Sequence, residues 1–216
     1  MRTTTRKKVK SNFKELILND IYNNLKFYII VIIIFLIGIT AGVIFINNTN
    51  DVQKTEIGEY INNFITLLKG NFEIDKGELL KSSLLENFKL VLGMWFIGST
   101  VIGIPIVLGI VLYRGFCIGY TVSSAITILG TQKGIIFFLT TILIQNIIII
   151  PVIISLAVSG MKLYKSIMKD KRRENIKLQI IRHTIISIIS FMFLVLASFI
   201  EVYISTSLLT SCIQFL

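Results

Sequence analysis

Three stretches of this chain, residues 27–46, 90–113 and 135–161, contain no charged residue. Each is about 20 residues long or more, enough for a helix to cross the hydrocarbon core of a bilayer. The apolar residues run on continuously instead of alternating, so they do not fit membrane barrel strands, and a helix is the other way to satisfy a backbone in lipid. With the apolar stretches that flank these runs, the pattern predicts five helical spans, at about 27–46, 88–113, 115–131, 135–161 and 184–208. Pro105 predicts a kink in the second span and Pro151 a break in the fourth. The expected fold class is an all-α, polytopic transmembrane bundle. The first run exceeds the 7–15 apolar residues of a signal peptide and follows a long basic leader, so it is expected to stay as an anchor.

The only sizeable polar segment is 47–87. Within it Ile57, Tyr60, Ile61, Phe64, Ile65 and Leu68 recur at three- and four-residue intervals, which predicts an amphipathic helix with an apolar face available to a partner. Leu79, Leu80, Leu84 and Leu85 continue the pattern after a break around Lys76-Gly77. In the leader, residues 1–26, Phe13, Leu16, Ile17, Ile21 and Leu25 share one helical face with lysines opposite, as in a helix lying on a membrane surface.

Composition agrees with insertion: 54% of residues are hydrophobic and 16% charged, against about a quarter charged in soluble domains. The formal charge of +10 matters more for where it sits. Residues 1–26 hold seven Lys/Arg and the 162–182 connector holds eight, and both blocks belong on the cytoplasmic side. Five spans then put the N-terminus inside and the acidic 47–87 segment and the C-terminus outside. Arg114, read as a loop charge, falls inside, and Lys133 is the one mismatch. Basic blocks flanking spans are topology signals, so no nucleic acid is expected.

Candidate chemistry is sparse. His183 is the only histidine and the two cysteines, Cys117 and Cys212, form no CxxC pair, so neither a metal site nor a cofactor is expected. No HExxH, GxSxG or phosphate-loop motif occurs, and an enzyme is not expected. Gly93, Gly98, Gly103, Gly109, Gly115 and Gly119 read as helix-packing positions, the last pair forming GxxxG. Gln145-Asn146 falls about 15 Å into the fourth span, where adjacent amides need partners. Pro151 nearby frees a backbone carbonyl. Glu201 is the only carboxylate inside a span; it is expected near the outer end, paired with Lys81, Lys89 or Lys133.

The stretch ENFKLVLGMWFIGSTVIGIPIVLGIVLYRGFCIGYTVS and the later QNIIIIP resemble the stage II sporulation protein M family. Asn87, Trp95, Gly98, Gly103, Pro105, Gly115, Gly119, Gln145, Asn146 and Pro151 carry the resemblance, which covers essentially the whole chain. Ile144 stands where the family pattern has a proline, and the His and Glu of the wider superfamily are absent from the fourth-span motif. The resemblance implies a multi-pass plasma-membrane protein of the engulfing mother-cell membrane. It further implies a scaffold that recruits two peptidoglycan-degrading partners, the stage II sporulation proteins D and P. Its partners so read are the lipid bilayer and those two proteins, with a homo-oligomer left open. The alternative reading is a transporter, with Gln145, Asn146 and Glu201 lining a path. The absence of an internal repeat counts against it.

Overall fold

The computed structural model describes residues 20–70, 75–100, 102–169 and 173–212. Among these there is no strand. Helix α1 is Leu25–Asn47, α2 Asp51–Lys69, α3 Lys76–Gly98 and α4 Gly103–Leu129. Helix α5, Thr131–Phe138, passes through a π-helical turn, Leu139–Leu143, into α6, Ile144–Lys169. Helix α7, Arg173–Ile200, passes through a second π turn, Glu201–Ser205, into α8, Thr206–Cys212. Four legs are long and apolar enough to cross a membrane: Leu25–Asn47, Gly103–Leu129, Thr131–Met168 and Ile176–Cys212. Their outward faces display residues such as Ile33, Leu36, Ile106, Ile147, Ile188 and Leu196, an apolar exterior suited to lipid.

Helices α1 and α4 run parallel and touch backbone to backbone. A Cβ on Gly38 would lie 2.2 Å from the Leu112 carbonyl oxygen, and one on Gly42 2.3 Å from that of Phe116. Reciprocally, Gly115 and Gly119 would meet the carbonyls of Phe35 and Ile39 at 2.3 and 2.1 Å. Two GxxxG faces therefore interlock. Small residues of this kind let helices approach closely in lipid, where van der Waals packing holds them together.

Helix α3 runs antiparallel to α7, with Ser83 beside Ser198 and Trp95 beside Thr184. It runs parallel to α6, meeting it at Gly98–Gly160, Cα to ideal Cβ 3.4 Å. The core shared by these legs includes Val31, Met94, Val107, Val111, Leu156 and Leu194. A smaller cluster, Ile65, Leu68, Ala125, Phe137 and Leu209, seats α2 across one end of the bundle.

Several boundaries differ from the pattern. The span expected at 88–113 is interrupted after Gly98, and the helix expected to start at 115 runs unbroken from Gly103 to Leu129. Ser99 Oγ donates to the Trp95 carbonyl at 2.7 Å and Thr100 Oγ1 to that of Ile97 at 2.7 Å, closing the end of α3. The chain then turns so tightly that a Cβ on Gly103 would collide with the Ile97 oxygen at 1.7 Å. Pro105 consequently stands in the first turn of α4, where its missing N–H costs no intrahelical bond, and it produces no kink. Arg114 lies well inside α4, half-buried, rather than in a loop. Helix α6 continues through Pro151; its leg departs from α geometry upstream, at the first π turn. Leu79–Leu85 belong to α3, whose first turn is capped by Asp75 Oδ1 accepting from the Gly77 and Glu78 amides at 2.8 and 3.1 Å. Of the leader, Phe13, Leu16 and Ile17 lie outside the described residues.

Replacing Gly42 or Gly119 by valine is expected to cost about 1–3 kcal/mol through overpacking. A lowered unfolding temperature of the purified protein in detergent would register it. Gly93→Ala and Gly109→Ala, where an added Cβ meets nothing within 4 Å, should stay within about 0.5 kcal/mol of the parent.

Candidate functional site

The two π turns face each other, and Ser205 Oγ donates to the Thr140 carbonyl at 2.5 Å. A π turn widens the helix and re-aims the residues beside it. Here the second turn opens with Glu201 and the first is followed closely by Gln145. Gln145 Nε2 donates to Glu201 Oε2 at 2.6 Å, and Ser83 Oγ of α3 donates to the same oxygen at 2.5 Å. Ser83 Oγ also lies 2.9 Å from Ser198 Oγ, which in turn accepts from Asn87 Nδ2 at 2.8 Å and donates to the Leu194 carbonyl at 3.2 Å. Three helices are thereby joined by one connected set of bonds, with Ser83, Asn87 and Ser198 buried. Glu86 and Arg114 lie within electrostatic range of the Glu201 carboxyl. A cavity of about 270 Å³ borders it, lined also by Phe64, Leu68 and Thr141.

A second buried set lies toward the other end. His183 is 1% exposed, with Nδ1 3.0 Å from Ser159 Oγ and Nε2 3.3 Å from the Trp95 carbonyl. A neutral ring donating from Nε2 and accepting at Nδ1 satisfies both nitrogens. Gly98 makes the room: a Cβ there would lie 3.2 Å from His183 Nε2. Trp95 Nε1 donates to Thr184 Oγ1 at 3.1 Å, tying α3 to α7 again.

The structure sorts the expected residues unevenly. Asn87, Gln145 and Glu201 come together. Asn146 does not join them; it points elsewhere on α6 and donates to the Ile142 carbonyl at 2.8 Å, within the first π turn. Glu201 is held by a hydroxyl and an amide, while Lys81 and Lys89 face outward. Gly98, Gly103, Gly115 and Gly119 sit at close contacts; Gly93 and Gly109 face open space. Of the 47–87 stripe, Ile61, Phe64, Ile65 and Leu68 pack against the chain's own bundle, so this face is already occupied. Tyr60, 76% exposed, lines a cavity together with Ile57, Ile61, Phe137 and Tyr120. Missed altogether were Gly38 and Gly42, although G-I-T-A-G is legible as GxxxG, and Ser83 and Ser198, which no pattern marks.

The family model described as Stage II sporulation protein M matches residues 31–206. An uncharacterized protein of Methanocaldococcus jannaschii is 27% identical over 186 residues, covering 84% of this chain and 95% of that protein. No solved structure matches the chain. The matched region contains both the four-glycine contact and the whole Glu201 network.

Glu201→Ala leaves the Gln145 amide and the Ser83 hydroxyl without their acceptor. The expected loss is about 1–3 kcal/mol, with Glu201→Gln, which keeps a carbonyl oxygen, recovering most of it. Thermal unfolding of the two variants side by side in the same detergent checks this; equal losses would show that the acceptor is not what matters.

Proposed function

The chain belongs to the stage II sporulation protein M family, and from this premise we propose that it is a membrane scaffold of endospore engulfment. In this reading it recruits and holds peptidoglycan-degrading partners, the D and P proteins of the same stage, at the engulfing mother-cell membrane. The observation that supports a scaffold is where its polar groups are spent. Gln145, Glu201, Ser83, Asn87 and Ser198 bond one another and stitch α3, α6 and α7 together. Groups lining a transport path would instead turn toward a passage. The chain itself is read as non-catalytic.

The reading includes a topology. Helix α3 is too charged to qualify as a span by apolarity, carrying Lys76, Glu78, Lys81, Glu86 and Lys89. It nevertheless runs beside α7 from the level of Glu201 to that of His183, some 15 residues or about 22 Å. We count it as the second of five crossings. The basic residues 1–26 and the 162–182 connector lie on the cytoplasmic side, and residues 27–216 form one transmembrane domain. Helix α2 then caps the extracytoplasmic end. With its apolar stripe turned inward, it offers outward a second face on which Val52, Tyr60 and Leu67 are 72%, 76% and 57% exposed. That face is the proposed contact for the hydrolases.

Tyr60→Asp combined with Leu67→Asp should weaken co-purification with the two hydrolases from sporulating cells and leave the unfolding temperature unchanged. Undiminished recovery would remove α2 from the interface. For the topology, a membrane-impermeant maleimide added to intact cells is expected to label Cys212, and Cys212→Ser should abolish the signal. Labelling that requires permeabilisation would invert the assignment.

A further inference from the structure

Near the cytoplasmic end of the bundle two cavities run into each other between α1, α6 and α7. The first, about 400 Å³, is lined by Asp20, Asn23, Lys162, Gln179 and Arg182 together with Ile185 and Ile186. The second, about 550 Å³, shares Asp20, Ser159, Lys162 and Ile186 with the first and continues between apolar walls past Val152 and Pro151 to Ile147 and Phe193. Together they form a slot with a charged mouth and an apolar shaft. From Arg182 to Phe193 the slot follows α7 for eleven residues, about 16 Å. That is close to half of the roughly 30 Å hydrocarbon thickness, the depth of one leaflet.

We propose that this slot binds one anionic phospholipid, its phosphate at Arg182 and Lys162 and an acyl chain along the Pro151–Phe193 wall. The charge at the mouth selects the headgroup. Lys162 Nζ is 2.5 Å from Asp20 Oδ1, so this carboxylate is already engaged. Two cations and one carboxylate leave the mouth with one positive charge, which an anionic lipid neutralises and a zwitterionic one does not. An ethanolamine ammonium would also have to displace Lys162 from Asp20. Arg182 is exposed, and its planar guanidinium suits bidentate contact with phosphate. Tyr28, whose hydroxyl donates to Asp20 Oδ2 at 3.5 Å, closes the α1 side. This differs from general attraction of a basic protein to an acidic surface, because it fixes one lipid at one seat.

The test is native mass spectrometry of the full chain in detergent, titrated with phosphatidylglycerol or phosphatidylethanolamine of identical acyl chains. The expected result is one retained phosphatidylglycerol per chain, at least about tenfold tighter than phosphatidylethanolamine. Arg182→Glu should weaken retention about tenfold or more, on the scale of one to two surface charges. Lys177→Glu, an equal charge change on the same helix away from the slot, should not. Ile189→Trp, at the rim of the shaft, should weaken binding while leaving the lipid-free unfolding temperature in place. Equal retention of the two lipids, or equal effects of Arg182→Glu and Lys177→Glu, would overturn the proposal. Full displacement of the lipid by soluble glycerol phosphate would also overturn it, since the acyl shaft would then contribute nothing.

Discussion

Helices already inserted in a membrane gain nothing hydrophobic by leaving lipid for one another, so this fold depends on how closely α1 and α4 can approach. Four glycines settle that distance. Each presents bare backbone to a carbonyl of the opposite helix, at 2.1–2.3 Å from where a Cβ would stand. Any side chain there would separate the helices and forfeit dispersion contacts along their whole length. Parallel packing of two helices separated in sequence has a further consequence. The intervening chain must return across the bundle between them, and α3 makes that return.

Helix α3 is more polar than the four apolar legs it packs among. Its first fourteen residues include five charged ones, and it lacks the continuous apolar surface of the other legs. The bundle accommodates it with specific bonds: Ser83 to Glu201 and Ser198, Asn87 to Ser198, and Trp95 to Thr184. These all engage α7 or the π turn that follows it. The two π turns belong to the same solution, because they turn Gln145 and Glu201 toward one another at the level of Ser83. A polar network of this kind is costly if any member lacks a partner. Its members come from 83, 87, 145, 198 and 201, so the pattern couples residues more than a hundred positions apart.

This coupling explains what could be read from the chain and what could not. The uncharged runs 27–46 and 135–161, the GxxxG in α4 and the amphipathic stripe of α2 are local signals, and each corresponds to a helical leg or a contact. Hydropathy could not locate the turn that follows Gly98, because it lies within an uncharged run and involves Ser99, Thr100 and a glycine, Gly103, forced by crowding. Arg114 looked like the end of a span, since a lone arginine is easier to place in a loop than inside an apolar helix such as α4. The adjacent amides Gln145-Asn146 looked like one feature, yet neighbours on a helix point about 100° apart and only one reaches Glu201. Periodicity showed that α2 has an apolar face but not that Ala125, Phe137 and Leu209 would cover it.

That last point bears on what a scaffold can offer. An apolar helix face is a ready docking surface only while nothing occupies it, and here the chain occupies its own. What remains outward on α2 is mixed: Tyr60 and Leu67 among Glu56, Glu59, Asn62 and Asn63. Isolated aromatic and aliphatic anchors within a polar rim resemble the composition of reversible protein interfaces more than that of a permanent core. A partner held there would be captured and released without disturbing the bundle, because the residues it touches are not those that seat α2. The two faces of one helix are therefore distinct: one packs α2 onto the bundle, and the other stays exposed.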